Sequence, residues 1–256
     1  MATSLAQMKT QLGAALAAAP RGLPAANQLC AACVDLLGVD GAAISMVFEG
    51  TTQGTFGASS DASRRLDEYQ FTFGEGPCLD AATTREAVLV PDLDSPHEQR
   101  WPVFAGAVLG DGIRAVFALP VRITSACVGA LDLFRIGPGP LHGDQLAGGL
   151  LAAELASLPL LDLMTDTATD RGADTADDKS GEDGWARLGE LDRVEVYQAT
   201  GMLLAQLNVD AAEALVRLRA HAMATGQTAS EVAWAIVHGT LELDRDDPGG
   251  TEGGRS

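Results

Sequence analysis

The chain has 256 residues, of which 46% are hydrophobic and 20% charged, and a formal net charge of −18 at pH 7. That length suits one large domain or two modest ones, and the composition is that of a soluble folded protein. So acidic a chain has no passive attraction for nucleic acid or anionic lipid, and any such partner must be met by a local patch.

In chain order, residues 3–19 read as a helix that ends at Pro20. A second helix is predicted over 24–38, with Pro24 near its first turn and Gly38 at its C-terminal end. Leu29, Cys33, Leu36 and Leu37 give this helix an apolar face. The period then changes. Residues 41–50 and 52–59 read as two strands joined by a tight Glu49-Gly50 turn, a hairpin. Residues 60–69 are polar and weakly helical. The stretch 71–84 is predicted to begin extended, break at Gly74, Gly76 and Pro77, and restart as a short helix. A strand over 87–93 is stopped by proline, and a helix follows near 100–110. Residues 113–121 and 126–134 form a second predicted hairpin, and 141–158 an amphipathic helix. This order implies an antiparallel sheet with helices packed on one face, an α+β unit.

Residues 165–184 lack apolar periodicity and are rich in Asp, Thr and Gly, which marks a flexible acidic linker. Beyond it three helices can be drawn. The first runs from about 185 to 207 and carries Gly201 within an otherwise apolar pattern. Such a glycine costs about 1 kcal/mol against alanine, so it calls for the close approach of another helix or of a ligand. The second helix starts at Asp210, with Glu213 three residues on. The third starts at Thr228 with a T-A-S-E capping box, and Val232, Ala233, Ile236, Val237 and Leu241 mark its buried face. The expected division is an N-terminal helix over 1–24, an α+β unit over 25–160, a linker over 161–184, a small all-α three-helix domain over 185–245 and a disordered tail over 246–256.

The four cysteines, Cys30, Cys33, Cys78 and Cys127, are too few for a disulfide framework, which points to a reducing, cytoplasmic setting. No apolar run approaches the ~18 residues that a membrane helix needs. The alanine-rich stretch 12–20, preceded by Lys9 alone, does not read as a signal peptide. Cys30 and Cys33 share one apolar helix face, and neither His97 nor His142 stands at a ligand-like spacing from them. They are expected to be core thiols, and no metal site is expected. Cys78 follows G-E-G-P at the start of a short helix, a place that favours a thiolate. Gly74 and Gly76 before Pro77 read as a turn, and no haem, bilin or phosphate-loop signature is present.

The C-terminal pattern resembles the ANTAR family of transcription antitermination regulators. The residues that carry the resemblance are Arg193, Q-A-T-G at 198–201 followed by Met202-Leu203-Leu204, E-A-L-V-R-L-R at 213–219, Ala222, and E-V-A-W-A-I-V at 231–237. Residues 25–158 resemble the GAF family of sensory domains, through G-E-G-P-C at 74–78, V-P-D-L at 90–93 and the strand pair around 113–134. The resemblance implies a homodimeric regulator that binds RNA stem-loops in nascent transcripts under the control of a sensor. The sensor would answer to an unidentified small molecule or a signalling protein. The expected RNA-binding residues are Arg193, Gln198, Ala199, Thr200, Gly201 and Arg219. A candidate ligand pocket would be lined by Met46, Phe48, Phe117, Leu131 and Phe134, which can equally form ordinary core.

Two features oppose RNA binding. The family commonly has Ala-Lys-Gly where this chain has Ala199-Thr200-Gly201, and a hydroxyl cannot replace the charge in a phosphate contact. Residues 185–245 also hold five Arg against eight Asp and Glu. Arg217 and Arg219 lie about 200° apart on a helix, so only one of them can share a surface with Arg193. Tyr197, His221 and Trp234 are available for base stacking, although packing is the expected role of Tyr197 and Trp234. The alternative reading is a ligand-sensing or dimerising protein-interaction module that has lost RNA binding. A third, an enzyme reducing free methionine sulfoxide on a GAF fold, lacks an evident resolving partner for Cys78.

Overall fold

The computed structural model describes residues 4–48, 50–162 and 193–244, without the side chains of Phe48 and Thr51. The predicted linker beyond Asp162, the first turns drawn from 185 and the tail over 246–256 lie outside the described residues.

Two hairpins supply most of the sheet, as the turn signals predict. β1 (Gly41–Phe48) pairs antiparallel with β2 (Thr51–Ala58), turning at Gly50, whose φ of +75° a side chain would resist. β4 (Ala115–Ile123) pairs with β5 (Ala126–Arg135), and the short β3 (Val88–Val90) adds to the free side of β4. The resulting five-stranded antiparallel sheet has the order β2-β1-β5-β4-β3.

Helices cover both faces of this sheet, not one. α1 (Leu5–Ala18), α2 (Leu23–Leu37) and α6 (Gly143–Leu155) lie on the first face, over a core that includes Leu12, Leu29, Leu37, Ile44, Leu119 and Leu133. α3 (Asp61–Phe73), α4 (Pro77–Thr84) and α5 (Pro102–Gly110) lie on the second, over Leu66, Leu79, Phe104, Val108 and Val116. The reason was present in the strands. Ala115–Val121 is buried at every position, the continuous apolar run of a strand covered on both sides.

α3 is the larger departure from expectation. Residues 71–73 are its last turn, not an extended segment. Ser60 caps its N-terminus by accepting from the Ser63 amide, and Gly74, at φ +65°, closes its C-terminus. The polar surface of 60–69 hides a buried stripe of Leu66, Asp67, Gln70 and Phe71. Glu75, between the two helices, accepts from the Val103 and Phe104 amides and so caps α5. Gly76 then begins α4 at φ +146°, where an added Cβ would stand 2.6 Å from Gln70 Cγ.

The C-terminal domain is a bundle of α7 (Val194–Leu207), α8 (Ala211–Thr225) and α9 (Ala229–Val237). Val196, Ala199, Leu203 and Leu207 on α7 meet Ala214, Leu218 and Ala222 on α8 and Val232, Ala233 and Ile236 on α9. The spacing of three and four within each set is that of one helix face. Asp210 accepts from the Glu213 amide, and the capping box of Thr228 and Glu231 is complete. One side chain in this core comes from elsewhere: Phe71 of α3.

Gly76→Ala should lower unfolding stability by about 2 kcal/mol, since the backbone region is one that only glycine occupies freely and the Cβ would displace Gln70. Denaturant titration checks this, and an unchanged midpoint would contradict the packing described.

Candidate nucleic-acid interface and sensor core

Arg193 immediately precedes α7, and its guanidinium is 2% exposed. Nη2 donates to Asp67 Oδ2 at 3.0 Å and Nε to Glu68 Oε2 at 3.2 Å, both on α3. Burial opposes its charge, but Asp67 and Glu68 outweigh that effect and hold its pKa above the ordinary value. Its Cζ lies 4.0 Å from the centre of the Phe71 ring, and Cζ of Arg219, from α8, lies 4.3 Å from the same ring. The ring is thus flanked by two cations, an arrangement its quadrupole favours. Arg219 fares differently from Arg193. Burial, followed by the charge of Arg193, lowers its pKa, and its buried Nε and Nη2 find no hydrogen-bond partner among the described residues.

The same stripe of α3 caps α9. Thr72 Oγ1 accepts from the Ala229 amide at 2.9 Å, and Glu68 Oε1 from the Ser230 amide at 3.1 Å and the Ser230 hydroxyl at 2.9 Å. With Thr228 serving Glu231, the amide groups left over in the first turn of α9 are met by both domains. A cleft of about 290 Å³ opens beside this seam, between Arg64, Arg65, Glu68 and Arg193 on one side and Thr228, Ser230 and Glu231 on the other.

The six residues expected to face RNA therefore divide. Arg193 and Arg219 meet at Phe71, which the one-surface argument allows, while Arg217 pairs with Glu213 on its own helix. Ala199 is buried in the bundle core. Gln198 and Gly201 are exposed on α7, and Thr200, half-buried, donates its hydroxyl back to the Val196 carbonyl at 2.7 Å. A Cβ at Gly201 would meet nothing within 4 Å, so no helix among the described residues requires a glycine there. Tyr197 and Trp234 are not the packing residues expected. They are 49% and 53% exposed, Tyr197 reaching Gln53 through its hydroxyl and Trp234 stacking on His238 with ring centres 4.1 Å apart.

The candidate pocket residues are not gathered together. Met46, Phe117 and Leu131 point into the core beneath α1, α2 and α6, whereas Phe134 points into the core beneath α3, α4 and α5. The alternation of a strand separates them. Phe48 lies among the side chains not described. On the Phe134 side a buried polar chain runs instead through residues that sequence reasoning missed. Gln70 accepts from the Cys78 amide and donates to Asp132 Oδ2, which also receives the Ser45 hydroxyl. Asp67 accepts from the Thr55 hydroxyl at 2.7 Å. Asp132 Oδ1 and Asp67 Oδ1 have no partner among the described residues.

The thiolate expected of Cys78 is contradicted. Full burial, and then the charges of Asp132 and Asp67, push its pKa well above the ordinary value, more than the start of a short helix can offset. Cys30 and Cys33 are buried core thiols as expected, Cys33 being pushed by burial up to about 12. Among the described residues no group of three His, Cys, Asp or Glu could hold a metal ion, and no helix is long and apolar enough to cross a membrane.

Comparison with known proteins agrees with this division. Residues 24–158 match the GAF domain and residues 191–237 the ANTAR domain. The first match spans more than half of the chain, which belongs to the GAF domain family and carries an ANTAR domain after it. The GAF domain of a phosphoenolpyruvate-protein phosphotransferase from Coxiella burnetii is similar at 15% identity and a TM-score of 0.52, over 65% of this chain and 98% of that one. The corresponding Acinetobacter domain is similar at 12% identity and a TM-score of 0.51, over 64% and 97%. Both likenesses are of fold alone. No curated protein matches the chain.

Burial raises the pKa of Asp132 to about 7, with the nearby charge of Asp67 adding to it and the Gln70 and Ser45 hydrogen bonds opposing. Its folded pKa thus lies above its unfolded value near 3.8. The folded state binds the extra proton, so this residue's contribution is fully present below about pH 4 and is lost as pH rises through about 7. The loss amounts to about 4 kcal/mol at most. Asp132→Asn, which keeps an acceptor for Gln70 and Ser45, should flatten the fall in stability between pH 5 and pH 8. Denaturation at both pH values measures this, and a wild-type slope retained in the variant would contradict it.

Proposed function

We propose that the protein is a regulator that binds RNA stem-loops through its ANTAR domain, under the control of its GAF domain, and acts in transcription antitermination. The domain order fits a regulatory rather than an enzymatic protein. The observation that carries the RNA reading is the open space at Gly201. A mid-helix glycine costs about 1 kcal/mol, and with packing against the described residues removed as its reason, the approach of a partner such as RNA is the reading it supports. Gln198, with an amide able to read a base edge, lies exposed beside it, and the exposed rings of Tyr197 and Trp234 can stack on unpaired bases. Recognition of this kind relies on shape and stacking and needs less positive charge than binding to a duplex backbone.

A second reading has its own support. Tyr197 and Leu204 expose apolar area on one side of α7, as a helix does when a second copy of the chain covers it. In that reading the ANTAR domain is a dimerising module that has lost RNA binding.

Sequencing of RNA that co-purifies with the full chain separates the two. Enriched paired hairpins are expected, and Gly201→Leu should weaken their binding by about tenfold or more, the factor that about 1.4 kcal/mol represents. The same substitution should raise helix stability by about 0.5–1 kcal/mol, so lost binding cannot come from unfolding. Absence of enriched hairpins, with a monomer-to-dimer equilibrium shifted by Gly201→Leu, would favour the dimerising module.

A further inference from the structure

A single-stranded loop of RNA offers a protein two things: anionic oxygens and flat aromatic rings. α3 offers the same two to the ANTAR domain. Asp67 and Glu68 place carboxylate oxygens 3.0 and 3.2 Å from Arg193, and Phe71 places its ring 4.0 and 4.3 Å from the guanidinium carbons of Arg193 and Arg219. Phe71 is a residue of the GAF domain, yet it is buried in the core of the bundle. We propose that α3 is an intramolecular surrogate for nucleic acid, so that RNA and α3 are alternative occupants of the face formed by Arg193 and Arg219. The proposal rests on the RNA-binding reading above and adds to it what is displaced when RNA arrives.

The fit of α3 to this face is incomplete where RNA would complete it. Arg193 has both carboxylates, but Arg219 has a ring and no acceptor, its buried Nε and Nη2 being without a hydrogen-bond partner among the described residues. A guanidinium left in that state favours any occupant that brings an oxygen or a ring nitrogen to it. A phosphate or a base edge does so. Gln198 and Gly201 remain exposed while α3 is in place, so RNA can first meet α7 there, and the cleft beside Arg193 leads from the surface to the seam. Exchange also frees the Ala229 and Ser230 amides, which Thr72 and Glu68 hold in the closed form. Those two amides report on the seam independently of RNA.

If the closed form predominates, the apparent affinity for RNA is reduced by the fraction that is open. Two variants of the full chain loosen α3, and Phe71→Ala does so with no change of charge. Glu68→Gln weakens the contacts to Arg193 and Ser230, and Phe71→Ala removes the ring. Both should tighten binding to a paired stem-loop RNA by about tenfold at fixed ionic strength, with faster hydrogen exchange at Ala229 and Ser230. Glu68→Gln alters a partly exposed side chain, and so keeps the test valid should Phe71→Ala fail to fold. If exchange quickens but the affinity for an RNA that the wild type binds stays the same, the surrogate is overturned and the RNA reading stands. If exchange quickens and no RNA is bound by any form, the RNA reading fails and takes the surrogate with it, leaving a latch between domains. Unchanged exchange in both variants would overturn the latch itself.

Discussion

The ion pair between Arg193 and Asp67 is the constraint on which the arrangement of the two domains depends. Neither side chain is more than 2% exposed, and a buried charge is tolerated only where it is paired and hydrogen-bonded. Asp67 is also tied to β2 through Thr55, so the guanidinium that begins α7 is placed relative to the sheet and not merely to a neighbouring helix. Phe71, one turn further along α3, then fills the bundle core, while Glu68 and Thr72 close the open end of α9. Removing Arg193 would strand Asp67 in a dry site, whereas removing Asp67 would leave Arg193 held by Glu68 alone.

α3 is also the element through which the sensor side can reach the bundle. Its buried stripe carries Asp67 and Phe71 toward the ANTAR domain, and Gln70 toward the Cys78 amide and Asp132. These positions lie within about one turn of each other, so a shift of α3 large enough to break the Gln70 bridge also moves the carboxylate that holds Arg193. Gly76 permits the close seating of Gln70 that this bridge uses. The GAF domain thus meets its effector through a polar contact that burial makes strong and geometry makes brittle.

Much of this was legible in the chain. The hairpins, the helix stop at Gly38 and the capping box at Thr228 all follow from local chemistry. What escaped did so for identifiable reasons. Residues 60–73 look polar because the buried stripe of α3 includes Asp67 and Gln70, whose partners Arg193, Thr55 and Asp132 lie far away in sequence. The Ser60 cap and the thirteen-residue reach to Gly74 were the available signal. The second helical layer escapes because element order alone does not say which face a helix covers, although the unbroken apolar run of β4 marks a strand buried on both faces. Trp234 and Tyr197 are residue types usually found packed, whereas Ala199 and Ala233 take the close positions of the bundle and leave the rings outside.

The absence of a lysine at position 200 takes on a different meaning beside this geometry. The two arginines of the face are matched, in the closed form, by the two carboxylates of Asp67 and Glu68, so the seam as a whole carries little net charge. In the proposed exchange, leaving α3 uncovers two positive charges at once on a domain that is otherwise mildly acidic. A lysine on α7 would stand outside this cancellation, because position 200 is half-buried at the flank of the bundle core and its hydroxyl bonds to the Val196 carbonyl of its own helix and to neither carboxylate of α3. It would keep a basic patch exposed whatever the sensor reports, and nucleic acid binds such patches without regard to sequence. Thr200 leaves the closed form with no such charge. A regulator whose whole cationic face can be covered by one helix needs that face to be small, and here it is two arginines wide.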